Sequence, residues 1–511
     1  MPKTAVTGSI IALKLDRSAR EPMHRQFADR LREAIQDGRI PVGAKLPSTR
    51  IFAEELGVSR NTVLQVFETL TQEGFLSGRV GAGTFVAATS IAAEAAAPGD
   101  GGTGGYPFRT LSRRGGGILS SAGDEFAERP TTFMPDVPDL REFPIKTWLR
   151  LLNETSGRLT GEILADTSNA GYEPLRRAIA QHLNASRGMR CDFSQVIVTT
   201  GSQQSLDLIC RMMLDPGDPV WLEEPGYVGS RAVVRANGGT IYPVPVDGDG
   251  MCIEEAAARH PVPRLIVASP SRHYPLGPAL SLARRHALVR FARKGGSWIV
   301  EDDYDNEFRY AGASLPAVFG LDGDSRTFHV GTFSKILLPS FRLGYLVVPS
   351  DLADAFAKAR AILDRHASLI EQMVLSEFML RGLFVSHVRR MRGLYRARQS
   401  QMIEGLNALF GRDLPFAATD TGVHVILRLS EEADDRRLVR AAAERGVVIR
   451  PLSPYYASGR PQQGLLLGFS AFNAGEIGQG LARLAPLRAD ILALGALPDR
   501  VAIGQGSGSL S

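Results

Sequence analysis

Two periodicities of apolar residues divide this chain. Before about residue 90, apolar positions recur at helical spacing, as at Phe27, Leu31 and Ile35, and Gly or Pro turns separate the segments. Between about residues 126 and 495, short apolar runs alternate with amphipathic helical segments. Examples of these runs are 195–200, 219–222, 264–269 and 297–302. Since helices between short apolar strands cover both faces of a sheet, the pattern predicts an α/β fold with a mostly parallel sheet.

The pattern and composition together predict four segments. Residues 10–87 are expected to form one domain, and residues 126–495 a larger one. The stretch 88–125 between them is rich in Ala and Gly, buries little, and is expected to be a flexible linker. Residues 496–511 end in Gly and Ser, and we expect them to form a disordered tail.

Residues 47–70 have the pattern of two helices joined by a tight turn. The first helix is expected to begin near Ser48, the turn to lie at Gly57, and the second helix to be capped by Ser59. Its inward positions are Val63, Val66, Phe67 and Leu70. Its outward positions are Arg60, Asn61, Thr62 and Gln65. In a helix-turn-helix such outward residues meet base edges and phosphates, although taken alone they are usually just a solvated helix face.

A predicted hairpin follows the two helices. Residues 74–86 contain four glycines among apolar residues, with glycines on both sides of Arg79 at the tip. Glycines would let this backbone approach a groove closely. Two helices followed by such a hairpin predict a DNA-reading domain.

Composition and charge change this picture little. A chain of 511 residues is too long for one core, and its 44% hydrophobic and 22% charged content is ordinary for a globular protein. The formal net charge of +5 does not by itself indicate nucleic acid. Without an apolar run near the roughly twenty residues of a membrane span, and without a secretory signal, we expect a cytoplasmic protein that contacts no membrane. Cys191, Cys210 and Cys252 have no metal-site spacing and are expected to be small core residues in a reducing compartment.

The most informative chemical signal is Lys335, which lies within the segment 329–345. Small hydroxyl residues precede it and Arg342 follows seven positions later, an arrangement that suits an aldehyde cofactor carrying a phosphate. The amine can form a Schiff base with the aldehyde, while Thr332, Ser334 and Arg342 can bind the phosphate. The alternative is an ordinary surface lysine after a buried strand.

Two upstream segments favour the cofactor interpretation. An apolar strand beginning near residue 299 ends in acids at Asp302 and Asp303, which would place a carboxylate against a pyridinium nitrogen. Residues 200–209 follow a predicted strand and begin a helix, so that backbone amides and the positive helix end would face an anion. For this second segment, a plain helix N-cap is the alternative.

Three motifs of the first domain carry a resemblance to a known family. The helix entry at 46–50, the second helix start at 59–63 and the hairpin at 81–85 occur in order and at matching spacing. Over nearly its full length the segment resembles the winged helix-turn-helix domain of the GntR family of bacterial regulators. The resemblance implies phosphate or base contacts by Arg50, Ser59, Arg60, Asn61, Thr62 and Arg79. A dimer on two half-sites of double-stranded operator DNA would then supply specificity.

The second domain resembles fold type I aminotransferases over most of its length, and the whole chain resembles the MocR subfamily of regulators. The resemblance implies a winged helix-turn-helix joined to a large domain that binds pyridoxal 5'-phosphate (PLP) and has a smaller C-terminal subdomain. It implies that Lys335 forms the internal aldimine, that Asp302 rather than Asp303 faces the pyridine nitrogen, and that Tyr304 lies near the 3'-oxygen. The remaining implied contacts are Gly201, Ser202, Gln203, Thr332 and Arg342 at the phosphate and Tyr227 stacked on the ring.

The chain departs from the aminotransferase pattern at three places. Tyr274 stands where those enzymes carry an Asn that contacts the 3'-oxygen, and His273 is a candidate to substitute for it. Asp166 stands in place of a tyrosine that reaches across to the phosphate bound by the partner subunit. Leu466 replaces the arginine that binds a substrate α-carboxylate, which argues against efficient transamination of ordinary α-amino acids.

Together these features predict a PLP-dependent transcriptional regulator that senses a small primary amine or amino acid through aldimine exchange at Lys335. Arg450 and Arg231 are candidates to hold an acidic group of the effector, or else are surface arginines. A homodimer is expected because fold type I sites form at a dimer interface, and the MocR resemblance implies head-to-tail pairing. The alternatives are a functional aminotransferase with an appended DNA-binding domain, and a DNA-binding protein with a cofactor-free dimerisation domain.

Overall fold

The computed structural model of the chain describes residues 15–16, 21–79, 83–87, 111–112, 114–116, 118, 132–164, 168–310, 315–323, 326–365, 367–411 and 421–493. The chain divides into two compact units, Met1–Thr110 and Leu111–Ser511. Within the ranges given, no helix combines the length and the apolar character needed to cross a bilayer.

The first unit contains a helix-turn-helix followed by a two-stranded antiparallel hairpin. Its elements are α1 (Met23–Gln36), α2 (Thr49–Leu56), α3 (Arg60–Gln72), β1 (Leu76–Arg79) and β2 (Gly83–Val86). Ser48 caps α2 by accepting a hydrogen bond from the Ile51 amide, and Ser59 caps α3 in the same way through Thr62. Gly57 ends α2 with a φ of 63°, in the left-handed region that favours glycine. The predicted helix starts, turn and hairpin are therefore confirmed.

Apolar side chains from all three helices form the core of this unit. The rings of Phe27 and Phe52 are fully buried, and the Phe52 centroid lies 5.5 Å from that of Phe27 and 5.6 Å from that of Phe67. The four inward positions predicted for α3 are all buried. Because α3 packs through that face, Arg60 and Asn61 on the opposite face are exposed.

A large sheet organises the second unit. Its strands are β3 (Val196–Thr199), β4 (Pro219–Glu224), β5 (Thr240–Asp247), β6 (Gly250–Met251), β7 (Leu265–Ala268), β8 (Trp298–Asp303), β9 (Thr327–Thr332) and β10 (Gly344–Val347). In the described ranges these eight strands follow the order β3-β10-β9-β8-β7-β4-β5-β6. Pairing is parallel from β9 through β5, whereas β10 is antiparallel to β3 and β9, and β6 is antiparallel to β5. The predicted mostly parallel sheet is therefore confirmed.

Helices pack on both faces of this sheet, and others pack with the C-terminal part of the unit. In chain order they are α4 (Ile145–Ser156), α5 (Gly161–Leu164), α6 (Glu173–Arg187), α7 (Ser202–Met213), α8 (Val228–Ala236), α9 (Ile253–Arg259), α10 (Leu282–Gly295), α11 (Val318–Asp322), α12 (Ala353–Leu363), α13 (Leu369–Leu380), α14 (Leu383–Phe410), α15 (Asp435–Ala443), α16 (Ala474–Leu484) and α17 (Arg488–Ala493). Val198 packs in a cluster with residues of α6 and α13, while its neighbour Ile197 packs in one with residues of α7. Cys191 and Cys210 are buried as predicted, but Cys252, at the start of α9, is only half-buried.

A smaller antiparallel sheet marks the C-terminal subdomain. Its strands β11 (His424–Arg428), β12 (Arg450–Pro451) and β13 (Gly464–Gly468) follow the order β11-β13-β12. The register places Arg450 directly opposite Leu466. An arginine therefore stands beside the leucine that was predicted to replace the arginine of the aminotransferases.

The carboxyl ends of the strands bring distant segments together. Strands β8 and β9 are parallel neighbours, so that Asp303 and Thr332 end at the same edge of the sheet. The start of α7 at Ser202, directly after β3, lies at this edge too, since Gly201 contacts Gly344 at the beginning of β10. In α/β sheets such edges are where ligands bind.

Candidate cofactor site and DNA-reading surface

Lys335 lies in the turn that follows β9, with its side chain 28% exposed. Its Nζ is 4.4 Å from the centroid of the Tyr304 ring and 5.3 Å from that of Tyr274. The same nitrogen lies 3.8 Å from Oδ1 of Asp136. The amine is therefore accessible, and aromatic faces and one carboxylate surround it.

Asp302, near the end of β8, is almost fully buried. Burial raises the pKa of its carboxyl to about 7, while the nearby Lys335 acts in the opposite direction. Its Oδ1 is buried without a hydrogen-bond partner among the described residues. Asp303 faces the other way along the extended strand, and its Oδ2 accepts a hydrogen bond of 3.0 Å from Nε of the buried Arg187. Each acid has one buried oxygen without a partner in the described ranges, but only Asp303 is committed to an ion pair, with Arg187, so Asp302 is the acid that remains for a ligand.

The Tyr304 phenol is held by Arg272, a residue that sequence reasoning did not propose. Arg272 Nη1 donates to the Tyr304 oxygen at 3.1 Å and to Asp305 Oδ2 at 3.0 Å, and all three side chains are buried. Burial raises the pKa of the Tyr304 hydroxyl well above its usual range. The phenol is therefore neutral and oriented at physiological pH.

The residues predicted to bind phosphate converge at the first turn of α7. Gly201 has a φ of 121°, and a Cβ at this position would lie 3.6 Å from Nη2 of Arg342. Ser202 and Gln203 begin the helix, whose first backbone N–H groups have no partner within it. Thr332 Oγ1 accepts a hydrogen bond from the Ser334 amide at 3.2 Å. A guanidinium and a helix N-terminus together form a site for an anion.

Ser334 adds a polar group to the same edge of the sheet. Its Oγ is buried and has no hydrogen-bond partner in the part of the chain that the structure describes. Gln203 is already engaged, because its Nε2 donates to the Gly229 carbonyl at 3.1 Å. The Oε1 atom of Gln203 has no partner among the described residues, but it can only accept, so for a phosphate the Ser334 hydroxyl is the side-chain donor that remains.

Tyr227, at the N-cap of α8, lies with its ring centroid 6.0 Å from that of Tyr274. Of the two candidate effector arginines, Arg231 donates to the Pro454 carbonyl at 2.8 Å. Arg450 Nη1 lies 3.7 Å from Asp136 Oδ2, and its side chain is 18% exposed. Arg450 is thus the candidate that reaches the surroundings of the lysine.

His273 and Tyr274 lie in the segment that stands where the aminotransferases carry an Asn, and they make different contacts. His273 Nε2 donates to the Pro225 carbonyl at 2.8 Å, and Nδ1 accepts from the Leu276 amide at 3.3 Å. Burial lowers the pKa of His273 to about 4, so that the ring is neutral and both nitrogens are occupied by backbone. Tyr274 instead donates its hydroxyl to Asp136 Oδ2 at 2.6 Å. Asp166 lies outside the described residues.

The predicted DNA contacts lie on α2, α3 and the hairpin. Arg50 is exposed and 3.6 Å from Glu54, one turn further along α2. Arg60 Nε donates to Thr49 Oγ1 at 3.3 Å, which ties the start of α3 to that of α2. Arg79 is the last residue of β1, opposite Gly83, and its side chain lies outside the described part. Arg50, Ser59, Arg60 and Asn61 are exposed, and Thr62 is half-buried.

Sequence reasoning missed three polar residues near the lysine: Asp136, Arg272 and His424. His424 is buried at the start of β11, with Nε2 3.0 Å from the Pro275 carbonyl and 3.3 Å from Arg272 Nη2. Arg272 stands next to the replaced Asn segment, which was a local signal. Asp136 and His424 come from distant segments of the chain and have no such signal.

Known proteins are similar to this chain along its whole length. Residues 24–86 match the family Bacterial regulatory proteins, gntR family, and residues 138–465 match Aminotransferase class I and II. The probable rhizopine catabolism regulatory protein MocR of Rhizobium meliloti is 38% identical over 494 residues, which cover 95% of this chain and 98% of that protein. The uncharacterized HTH-type transcriptional regulator YhdI of Bacillus subtilis is 30% identical over 481 residues, 92% of this chain and 96% of that protein.

A solved structure supports the fold of the second unit. LysN, an α-aminoadipate aminotransferase from Thermus thermophilus complexed with N-(5'-phosphopyridoxyl)-L-leucine, is 28% identical with a TM-score of 0.65. The match covers 71% of this chain and 93% of that chain.

Since class I and II aminotransferases depend on PLP, PLP is the cofactor of the second unit. The residues present fit it: the Lys335 amine can bond to the aldehyde and the unpaired Asp302 oxygen can accept from the ring nitrogen. The α7 N-terminus and Arg342 can hold the phosphate. A GntR-type helix-turn-helix precedes this domain, and a MocR protein matches nearly the whole chain, so this protein belongs to the MocR subfamily of GntR-family transcriptional regulators.

Proposed function

We propose that this regulator senses a small primary amine at Lys335 and that occupancy by the amine changes its affinity for operator DNA. The observation that carries the proposal is an accessible lysine amine in a site that fits PLP, together with a leucine where the aminotransferase resemblance implies a substrate arginine. Leu466 occupies that position and is fully buried in the small sheet. A site of this kind retains the chemistry that captures an amine but not the clamp that holds an amino acid for turnover.

Each residue of the site has a part in this proposal. PLP, when bound, supplies an aldehyde carbon that bonds to one amine at a time. Asp302 would hold the ring nitrogen by a charge-assisted hydrogen bond, and Arg342 would hold the phosphate, so that the cofactor stays in place while amines exchange. An incoming amine would release Lys335 as a free cation.

The released lysine is the contact that differs between the two states. Its ammonium would lie close to the carboxylate of Asp136 and the faces of Tyr304 and Tyr274, the groups that surround Nζ. A ligand can shift an equilibrium only through such a difference between states. A shift of about 1.4 kcal/mol would change operator affinity about tenfold.

A spectral titration combined with DNA binding tests the proposal. The purified holoprotein is titrated with a panel of primary amines while the visible absorbance of the cofactor and operator binding by fluorescence anisotropy are followed together. We expect the amine that changes the absorbance to change operator affinity over the same concentration range. Lys335→Ala should abolish the borohydride-dependent pyridoxyl adduct, whereas Lys358→Ala, an exposed lysine paired with Asp354, should retain it.

A functional aminotransferase is the second candidate, favoured by the similarity to LysN. Incubation with amino acids would then convert the cofactor to its pyridoxamine form and release the keto acid in stoichiometric amounts. Leu466 argues against this outcome, since no arginine stands at that position. Rapid release of keto acid from ordinary amino acids would favour the enzyme over the sensor.

We also propose that the protein acts as a head-to-tail homodimer on two operator half-sites. Light scattering of the holoprotein should give twice the mass of the 55.2 kDa chain. Half-sites separated by whole turns of DNA should bind more tightly than those offset by half a turn, because a two-fold dimer presents both α3 helices to one face of the duplex.

A further inference from the structure

Asp136 is an acid at the lysine to which neither the cofactor nor the DNA-reading domain gives a role. It lies in the loop before α4 with a φ of 64°, in the left-handed region that few residues other than glycine adopt. Its side chain is only 10% exposed. A buried carboxylate on strained backbone, close to a reactive amine, indicates a functional constraint.

The contacts of Asp136 divide between its two oxygens. Oδ2 accepts the hydroxyl of Tyr274 at 2.6 Å and lies 3.7 Å from Arg450 Nη1. Oδ1 lies 3.8 Å from Lys335 Nζ and 3.3 Å from His424 Nδ1, and it receives no well-aligned hydrogen bond from the residues that the structure describes. One oxygen is therefore committed, and the other faces the lysine amine with unused accepting capacity.

The charge state of Asp136 is set by its neighbours. Although burial favours the neutral acid, Lys335 and the other basic groups around it hold the pKa of Asp136 well below its usual range. The group is thus an ionised acceptor at neutral pH.

The loop that carries Asp136 is anchored on both sides. The Phe133 carbonyl accepts from the Gly468 amide at 2.8 Å, and the Val137 carbonyl accepts from Ser470 Oγ at 2.6 Å. Asp139 accepts from Arg398 Nη2 at 2.8 Å, on helix α14. These contacts keep the carboxylate in place, as a recognition group requires.

We infer that Asp136 determines the specificity of the effector site and selects a hydroxylated primary amine without a carboxylate. This inference rests on the amine sensing proposed above. An amine that displaces Lys335 would place its nitrogen where Nζ now lies, and a hydroxyl on an adjacent carbon would then be near the unused Oδ1. A hydroxyl can donate a charge-assisted hydrogen bond to that oxygen.

The same charges disfavour the other classes of amine. A carboxylate on the effector would face the negative charge of the largely buried Asp136, and the nearest candidate to offset it, Arg450, already lies beside Asp136. A second ammonium group would be repelled by Arg450 and by the released Lys335. A neutral hydrogen-bond donor can bind Asp136 without being repelled by its negative charge or by the positive charges of Arg450 and Lys335.

The test compares, on the holoprotein, three amines that share a three-carbon skeleton with the amine on the central carbon. They are 2-amino-1,3-propanediol, serine, in which one hydroxymethyl group is replaced by a carboxylate, and 2-aminopropane, which has no hydroxyl. Dissociation constants are read from the visible absorbance of the cofactor. We expect the diol to bind at least about tenfold more tightly than serine or 2-aminopropane, as one charge-assisted hydrogen bond allows.

The variant Asp136→Asn tests whether Asp136 selects the effector without affecting formation of the bond between Lys335 and the cofactor. The variant should lose the preference for the diol over serine by at least about tenfold, with the borohydride adduct at Lys335 intact. Asp136→Ser, also neutral, repeats the measurement if the asparagine variant loses cofactor. Serine binding as tightly as the diol, or a ratio unchanged in the neutral variant that retains cofactor, would overturn the role of Asp136 while leaving amine sensing standing. Absorbance unmoved by any amine, tested across the wider panel, would overturn both.

Discussion

Replacing Asp302 by Asn should weaken cofactor binding, and above about pH 7 it should stabilise the cofactor-free protein. The buried carboxyl has a pKa raised to about 7 by its burial, against an ordinary value of 3.8. Between these two pH values the folded, cofactor-free protein holds a proton that the unfolded chain has released. The free energy of unfolding therefore falls as pH rises from about 4 to about 7, and the loss is complete above pH 7.

The size of this effect follows from the shift itself. A difference of about three pKa units, at 1.36 kcal/mol each, corresponds to about 4 kcal/mol. Asparagine does not titrate, and a poorly paired amide costs about 1–3 kcal/mol equally at every pH. The free energy of unfolding of the variant, measured relative to that of the parent, should therefore rise by up to about 4 kcal/mol between pH 4 and pH 8. Cofactor binding should weaken about 10–100-fold, because a hydrogen bond to a charged group contributes about 1.5–3 kcal/mol.

Two measurements and one control check this reasoning. Denaturant unfolding of the cofactor-free proteins at pH 4.5, 6 and 8 gives the stability difference, and fluorescence titration with PLP at pH 8 gives the affinities. Asp303→Asn is the matched control on the same strand: it leaves the buried Arg187 without its charge partner and should lose about 3–5 kcal/mol at pH 8. A stability difference between Asp302→Asn and the parent that does not vary with pH would refute the argument, as would unchanged affinity for PLP.

Three further predictions concern the phosphate, the DNA-reading helix and the buried contact between Glu301 and His329. Arg342→Ala should weaken binding of PLP at least about tenfold but leave binding of unphosphorylated pyridoxal unchanged in equilibrium titrations, because the guanidinium lies at the phosphate end of the site. Ser59→Ala removes the N-cap of α3 and should lower the free energy of unfolding of the first unit by about 1 kcal/mol in denaturant titrations. It should also weaken operator binding. Thr69→Ala, at an exposed position on the same helix, is the control and should lower stability less. Although burial raises the pKa of Glu301, the contact of 3.1 Å with Nδ1 of His329 holds that pKa below its ordinary value of 4.5, so the stabilisation is present above about pH 4.5 and lost as pH falls through the lowered pKa. His329→Leu should therefore move the acid-unfolding midpoint to higher pH in circular dichroism, and an unchanged midpoint would contradict this.

Local features of the fold were predictable because they depend on residues close in the sequence. The caps at Ser48 and Ser59 and the turn at Gly57 each involve contacts over three or four residues, and all lie where the sequence predicted them. The apolar run at 195–200 contains β3, and the run at 297–302 contains most of β8. The family resemblance added the positions of Lys335 and Asp302, which no periodicity could indicate.

Convergence of distant segments was not predictable from these signals. Asp136 reaches the lysine from a loop about two hundred residues upstream. Its position depends on a left-handed backbone conformation, which no local sequence pattern predicted. Arg272 was passed over in favour of its neighbours, because which of three consecutive residues faces Tyr304 is decided by the path of the chain after β7.

The sequence alone determined the two kinds of domain and the cofactor chemistry, and it predicted the loss of the carboxylate-binding arginine at Leu466. Only the tertiary structure decided what surrounds the amine: the register of the small sheet puts Arg450 opposite Leu466, and the anchored loop brings Asp136 between Arg450 and Lys335. The reason is physical. Helices, caps and strands depend on contacts between residues close in the sequence. Which charged side chains lie together in a site depends on strand order and register, because these bring residues far apart in the chain next to each other.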